Sequence, residues 1–157
     1  MRYTFANLLH KEMSENEDIF FLTADLGYKI FDPLFRDFPN RAFNTGAAEQ
    51  MMMACAVGLA HDCKIPVVYS ITPFLLYRPF EVIRNYIDHE QLPVVMIGAG
   101  RGKDYTHDGF SHWAEDDIQI MRCFQNIKLF YPKDKKDLEE NFNNFLYRGP
   151  VYINLKR

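Results

Sequence analysis

Ile19-Phe20-Phe21-Leu22-Thr23-Ala24 is the stretch that decides the fold. It is apolar on both sides of a strand, with no alternation, so both faces must be covered. Runs of the same kind recur at residues 66–71, 93–97, 127–131 and 151–155, and Ala42-Phe43-Asn44 is a shorter candidate. Strands of that type belong to a parallel sheet held between helical layers. The intervening segments supply the helices. Residues 4–15 place Phe5, Leu8 and Leu9 on one face. Residues 49–62 are apolar almost all round, which predicts burial on several sides. Residues 77–90 carry Phe80, Ile83 and Ile87 at helical spacing, and 115–124 and 134–147 complete the set. The last has Asp134 or Asp137 as a candidate N-cap and Gly149-Pro150 as its stop. Alternating strands and helices predict a three-layer α/β/α fold with about six mainly parallel strands and right-handed crossovers. One domain over residues 1–157 is expected, since neither a repeat nor a low-complexity linker interrupts the pattern.

Composition narrows the function classes. Apolar residues make up 48% and charged residues 25% of the chain, the balance of a soluble globular protein. The net charge of -3 has no basic block behind it, which argues against a nucleic-acid surface. Cys55, Cys63 and Cys123 form no CxxC pair and predict reduced thiols in a cytoplasmic protein. The start, Met1-Arg2-Tyr3-Thr4, has no signal-peptide apolar core. The longest apolar run, residues 51–60, is too short to span a bilayer.

In parallel sheets, function gathers at the carboxyl ends of the strands. Four loops are expected there: residues 25–32, 45–50, 72–78 and 98–112. The most informative is Asn44-Thr45-Gly46-Ala47-Ala48-Glu49-Gln50. Gly46 permits a tight turn, and Ala47 and Ala48 let the backbone approach another group closely. Glu49 then opens a buried helix. The helix dipole favours its ionised form and burial opposes it. Local physics leaves two readings open, a capping residue or a proton-handling carboxyl group. Gly98-Ala99-Gly100-Arg101-Gly102 lacks the Lys-Ser/Thr pair of a phosphate loop and reads as an active-site loop.

The run Arg41-Ala42-Phe43-Asn44-Thr45-Gly46-Ala47-Ala48-Glu49-Gln50 resembles a segment of transketolases and deoxyxylulose phosphate synthases. Further resemblances follow in order. They are Thr23-Ala24-Asp25-Leu26-Gly27, Tyr69-Ser70-Ile71-Thr72-Pro73-Phe74, the helix from Arg78-Pro79-Phe80-Glu81, Asp108-Gly109-Phe110-Ser111-His112 and Tyr131-Pro132-Lys133-Asp134. The series resembles the pyrimidine-binding domain of the transketolase-like thiamine diphosphate enzymes, as a separate C-terminal-type subunit. It implies that Glu49 hydrogen-bonds ring nitrogen N1′ of the cofactor and favours the tautomer that removes the thiazolium proton. Asp25, Leu26, Phe74, Tyr77 and Phe80 would surround the aminopyrimidine; by spacing alone, core packing explains the three aromatics as well. His112 and Asp108 would meet the substrate, His112 as a catalytic proton carrier, with His107 beside them. Arg78 and Arg101 are candidates for a substrate phosphate.

Neither a Gly-Asp-Gly segment with its following Asn nor a third domain occurs in the chain. The resemblance therefore implies a diphosphate-binding partner subunit. That partner would hold Mg2+ and share thiamine diphosphate in a two-fold heterotetramer, and no metal ligands are expected in this chain. The reaction implied is transfer of a two-carbon ketol unit between sugars, with a small-molecule sugar substrate. Two alternatives stay open: a binding or regulatory module without catalysis, and a beta-type subunit of a 2-oxo acid decarboxylase or dehydrogenase.

Overall fold

The computed structural model describes all of residues 1–157. Six strands form one sheet: β1 (Ile19–Thr23), β2 (Ala42–Asn44), β3 (Ile65–Ile71), β4 (Val95–Ala99), β5 (Lys128–Phe130) and β6 (Val151–Leu155). Their spatial order is β2-β1-β3-β4-β6-β5, and every pairing is parallel. The register brings the carboxyl ends level, with Thr23 opposite both Asn44 and Tyr69, and Ala99 opposite both Ile71 and Leu155. The loops that follow these ends therefore meet along one edge.

Helices cover both faces. The main ones are α1 (Arg2–Glu15), α2 (Asp32–Asp37), α3 (Glu49–His61), α4 (Thr72–Tyr77), the single turn α5 (Phe80–Val82), α6 (Asp117–Met121) and α7 (Lys135–Leu146). One face packs Phe21, Tyr69, Ile97 and Ile153 against α1, α2 and α7. The other packs Leu22, Val68, Met96 and Tyr152 against α3, α4 and α6. Every residue of β4 and β6 is buried, as expected of strands with helices on both sides. Aromatic residues make up 15% of the chain, and many of them are core. Phe5 stacks on Tyr69 with centroids 6.0 Å apart and meets Phe31 and Phe142 edge-on.

Two departures from the expected elements matter. The helix expected over 77–90 begins five residues earlier and breaks at Pro79. Proline has no N–H to continue the ladder, so α4 ends at Tyr77. The chain resumes as α5 and then as a π-helix over Ile83–Asp88. Helix α2 falls at and beyond the end of an expected loop. Its signal is present in Asp32-Pro33, because proline suits a first helical turn and Asp32 Oδ1 accepts from the Lys29 N–H at 3.0 Å. Elsewhere the ends move by a few residues, with 115–124 shortened to Asp117–Met121. Asp134 is the N-cap of α7, its side chain accepting from the Asp137 N–H. No helix is long and apolar enough to cross a membrane.

A buried polar network ties α6 to the central strands. Asp117 Oδ2 accepts from Tyr131 and Tyr152 hydroxyls, each at 3.0 Å, and from Asn154 Nδ2 at 2.8 Å. Burial first, and then the Asp117 charge, push both phenols well above their ordinary range, so they remain donors. Asn154 also reaches Thr72 Oγ1, at the head of α4. Gly98 lies beneath this network. A Cβ there would stand 2.7 Å from Thr72 Oγ1 and 2.8 Å from the Tyr152 hydroxyl. Gly98→Ala is expected to cost about 1–3 kcal/mol through overpacking. A lowered midpoint in thermal unfolding would show it; an unchanged midpoint would mean that the network yields freely.

Candidate functional site

The site is assembled from the loops after β1, β2, β3 and β4. Asn44, at the end of β2, joins the first two: its Oδ1 accepts from the Asp25 N–H at 2.9 Å and the Gly46 N–H at 3.0 Å. Gly46 has φ +71, in the left-handed region that glycine occupies without strain. The turn then delivers Glu49 as the first residue of α3, with 2% of its surface exposed. Arg41, which opens the same motif, has a structural task. Its guanidinium donates to the carbonyls of Met13, Asn16 and Ile19, joining the end of α1 to β1.

The Glu49 carboxylate has two partners. Ser70 Oγ donates to Oε1 at 3.1 Å, and Arg78 Nη1 lies 2.5 Å from Oε2. The Arg78 guanidinium is also 4.0 Å from the centroid of Phe74. A small cavity of about 150 Å³ opens here, lined by Ala24, Asp25, Leu26, Ala47, Glu49, Ser70, Ile71, Phe74 and Arg78. Its walls are mostly small or apolar side chains around one buried carboxylate, a setting for a small planar polar ring. A second cavity of about 790 Å³ lies along Ala47 to Met51 and Ala54. A third, of about 670 Å³, is framed by Phe74, Tyr77, Phe110, Trp113 and Asp116.

The expected residues separate into groups. Glu49, Asp25, Leu26 and Phe74 come together at the small cavity. His112, on the loop after β4, lines none of the three cavities but meets the Phe74 ring edge-on, with centroids 4.8 Å apart. Its Nδ1 is 3.0 Å from Ser111 Oγ, leaving Nε2 as the ring nitrogen open to a ligand. Asp108 and His107 are exposed on the preceding turn, Thr106–Asp108. Tyr77 stands at the third cavity rather than the small one. Partial burial and then the Asp116 carboxylate raise its phenol well above the ordinary range.

Two placements correct the expectations. Phe80 lies past the break at Pro79 and packs on Phe124, with centroids 5.3 Å apart, so it lines none of the three cavities. Arg101 is turned inward: it donates to the Pro132 carbonyl at 2.9 Å and to the Asn154 carbonyl and side chain. Its donors close the loop onto β6, and burial pulls its pKa below the ordinary value. Arg78, the other phosphate candidate, is paired with Glu49. Sequence reasoning missed Ser70, Phe110 and Trp113 as site residues. A serine in a strand otherwise apolar was the available signal for Ser70. Phe110, 82% exposed, had none, because exposure is a tertiary property. No group of three or more His, Cys, Asp or Glu side chains is gathered to hold a metal ion.

One subunit of the apulose-4-phosphate transketolase of Actinobacillus succinogenes is 35% identical over 124 residues, covering 78% of this chain and 40% of that protein. A subunit of the 6-deoxy-6-sulfo-D-fructose transketolase of Clostridium sp. is 32% identical over 162 residues, covering all of this chain and 49% of the relative. The chain thus spans about half the length or less of these curated relatives. Among solved structures, a split-gene transketolase described as an inactive β4 tetramer superposes with a TM-score of 0.85 at 34% identity. That match covers 99% of this chain and 50% of the other. The transketolase pyrimidine-binding domain matches residues 1–157, and the chain belongs to that family.

Proposed function

We propose that this chain is the pyrimidine-binding part of a two-chain, thiamine diphosphate-dependent transketolase-like enzyme. It transfers a two-carbon ketol unit between sugars, phosphorylated ketoses being the first to try, and it works with a partner that carries the diphosphate and Mg2+ sites. The observation that carries this reading is the buried Glu49 carboxylate at the back of a small cavity, beside the Phe74 ring. The names of the relatives, transketolase subunits for apulose 4-phosphate and a sulfofructose, support the substrate class.

The residues fit an aminopyrimidine. Glu49 would hold a proton at the ring nitrogen, Ser70 steadies the carboxylate's other oxygen, and Ala24, Ala47 and Leu26 give the ring a close apolar seat. Phe74 offers a stacking face. Bound thiamine diphosphate supplies the electron sink for cleavage beside a carbonyl. His112, against Phe74, would exchange a proton with a substrate hydroxyl through Nε2. Asp108 and His107, on the exposed turn, are candidates to meet the rest of the sugar.

The test is reconstitution with a diphosphate-binding transketolase half, followed by assay of transfer from hydroxypyruvate or a ketose phosphate. Transfer that depends on both thiamine diphosphate and Mg2+ is expected. Assembly without any transfer, across a panel of donors, would favour a non-catalytic module. Phe74→Ala in the same pair is expected to weaken cofactor affinity by about 3- to 10-fold, the worth of one stacked pair. Cofactor titration by calorimetry measures it, and unchanged affinity removes Phe74 from the seat.

A further inference from the structure

Arg78 lines all three cavities around the site, and no other residue does. Its guanidinium is a planar group with forked donors. One edge meets Glu49 Oε2, and its carbon lies 4.0 Å from the Phe74 centroid. These are the two contacts that the function proposed above assigns to the aminopyrimidine. A ring stacked on that face of Phe74, with its nitrogen at Glu49, would overlap the guanidinium. The arginine is also free to leave. Its side chain is 45% exposed, against 2% for Glu49, so the cation can return to water while its stem keeps some apolar contact. It stands immediately after α4 and before Pro79, at the helix break. Its hydrogen bond to Glu49 is its only side-chain one. Arg101, held by three backbone and side-chain acceptors, has no such freedom.

We propose that Arg78 is a displaceable stand-in for the cofactor's aminopyrimidine, closing the cavity over Glu49 until a ring enters and drives the guanidinium out. The inference rests on the reading of Glu49 as the group that meets the ring nitrogen. The physical reason is compensation. A buried carboxylate without a partner is costly, and the paired arginine removes that cost while the seat is empty. The ring must then compete with an internal ligand, which weakens its apparent affinity by the fraction of chains in which Arg78 has swung away.

The probe is 4-amino-5-hydroxymethyl-2-methylpyrimidine, titrated into the purified chain and followed by NMR signals of Phe74 and its neighbours. Arg78→Met keeps the length and apolar stem but removes the fork. If the open form is about a tenth of the population or less, this variant binds the probe about tenfold or more tightly than the unchanged chain. Glu49→Gln is expected to weaken binding and, combined with Arg78→Met, to cancel the gain. Equal or weaker binding by Arg78→Met, with Glu49→Gln still harmful, would overturn the stand-in and leave the Glu49 reading intact. Indifference to Glu49→Gln, or no probe binding by Arg78→Met, would overturn both. Should Arg78→Met fail to fold, Arg78→Lys serves instead. It keeps the charge without the planar fork, so several-fold tighter binding supports the proposal and unchanged binding defeats it.

Discussion

Glu49→Gln, in the chain assembled with a diphosphate-binding half, is expected to lower ketol transfer by about 10²–10⁴-fold while fold and assembly persist. Glutamine has nearly the same shape and can still accept from Ser70 Oγ, which lies 3.1 Å from Oε1 in the native chain. It cannot release or share a proton at the ring nitrogen. The residue is 2% exposed at the first turn of α3, so no solvent water readily replaces the lost function. The amide also weakens the contact with Arg78, now without an opposing charge. Stability is therefore measured alongside activity. Retained transfer at wild-type rates would remove Glu49 from the chemistry. A loss of both transfer and assembly would make it a structural residue.

The second large effect concerns stability. Asp117→Ala is expected to destabilise the fold by about 3 kcal/mol or more. The carboxylate is 6% exposed and gathers the Tyr131 and Tyr152 hydroxyls and Asn154 Nδ2 on one oxygen. Removing it strands the two phenol hydroxyls in a site that water reaches poorly, each at a cost of about 1–3 kcal/mol before relaxation, while Asn154 Nδ2 keeps Thr72 and Gly100 as acceptors. Urea unfolding should show a lower midpoint with an unchanged slope. Asp117→Asn, which keeps the shape and an acceptor, should recover part of the loss. A midpoint unmoved in Asp117→Ala would mean that the network repairs itself, with Asn154 and Thr72 taking up the free donors. The consequence would extend to the site, because Thr72 begins the helix that carries Phe74 to the cavity.

The strands and their order of appearance were legible because parallel strands buried on both faces leave uninterrupted apolar runs. β6 was read to the residue, and β1 and β3 to within one. Helix boundaries were less legible around Pro79, where periodicity continued through Phe80, Ile83 and Ile87 although the backbone ladder could not. Glu49 was legible as a helix-start carboxyl group, since Gly46 and the two alanines announce a close turn before an apolar helix. Its partners were not. Arg78 is 29 residues away and Ser70 21 residues away, on separate elements of the fold.

The sequence by itself determined the layered α/β architecture, the edge of the sheet where the site forms, and the residue types gathered there. Those properties follow from local periodicity and turn chemistry. Tertiary structure alone decided which arginine faces the carboxylate. Arg101 closes its loop through acceptors at Pro132 and Asn154, whereas Arg78 lies between Glu49 and Phe74. Arg78 follows α4 and Arg101 follows β4, and in neither case do the neighbours along the chain say which acceptors the guanidinium will meet. The physical reason is that a guanidinium takes the acceptors that folding brings within reach, and these come from strands and loops distant in sequence.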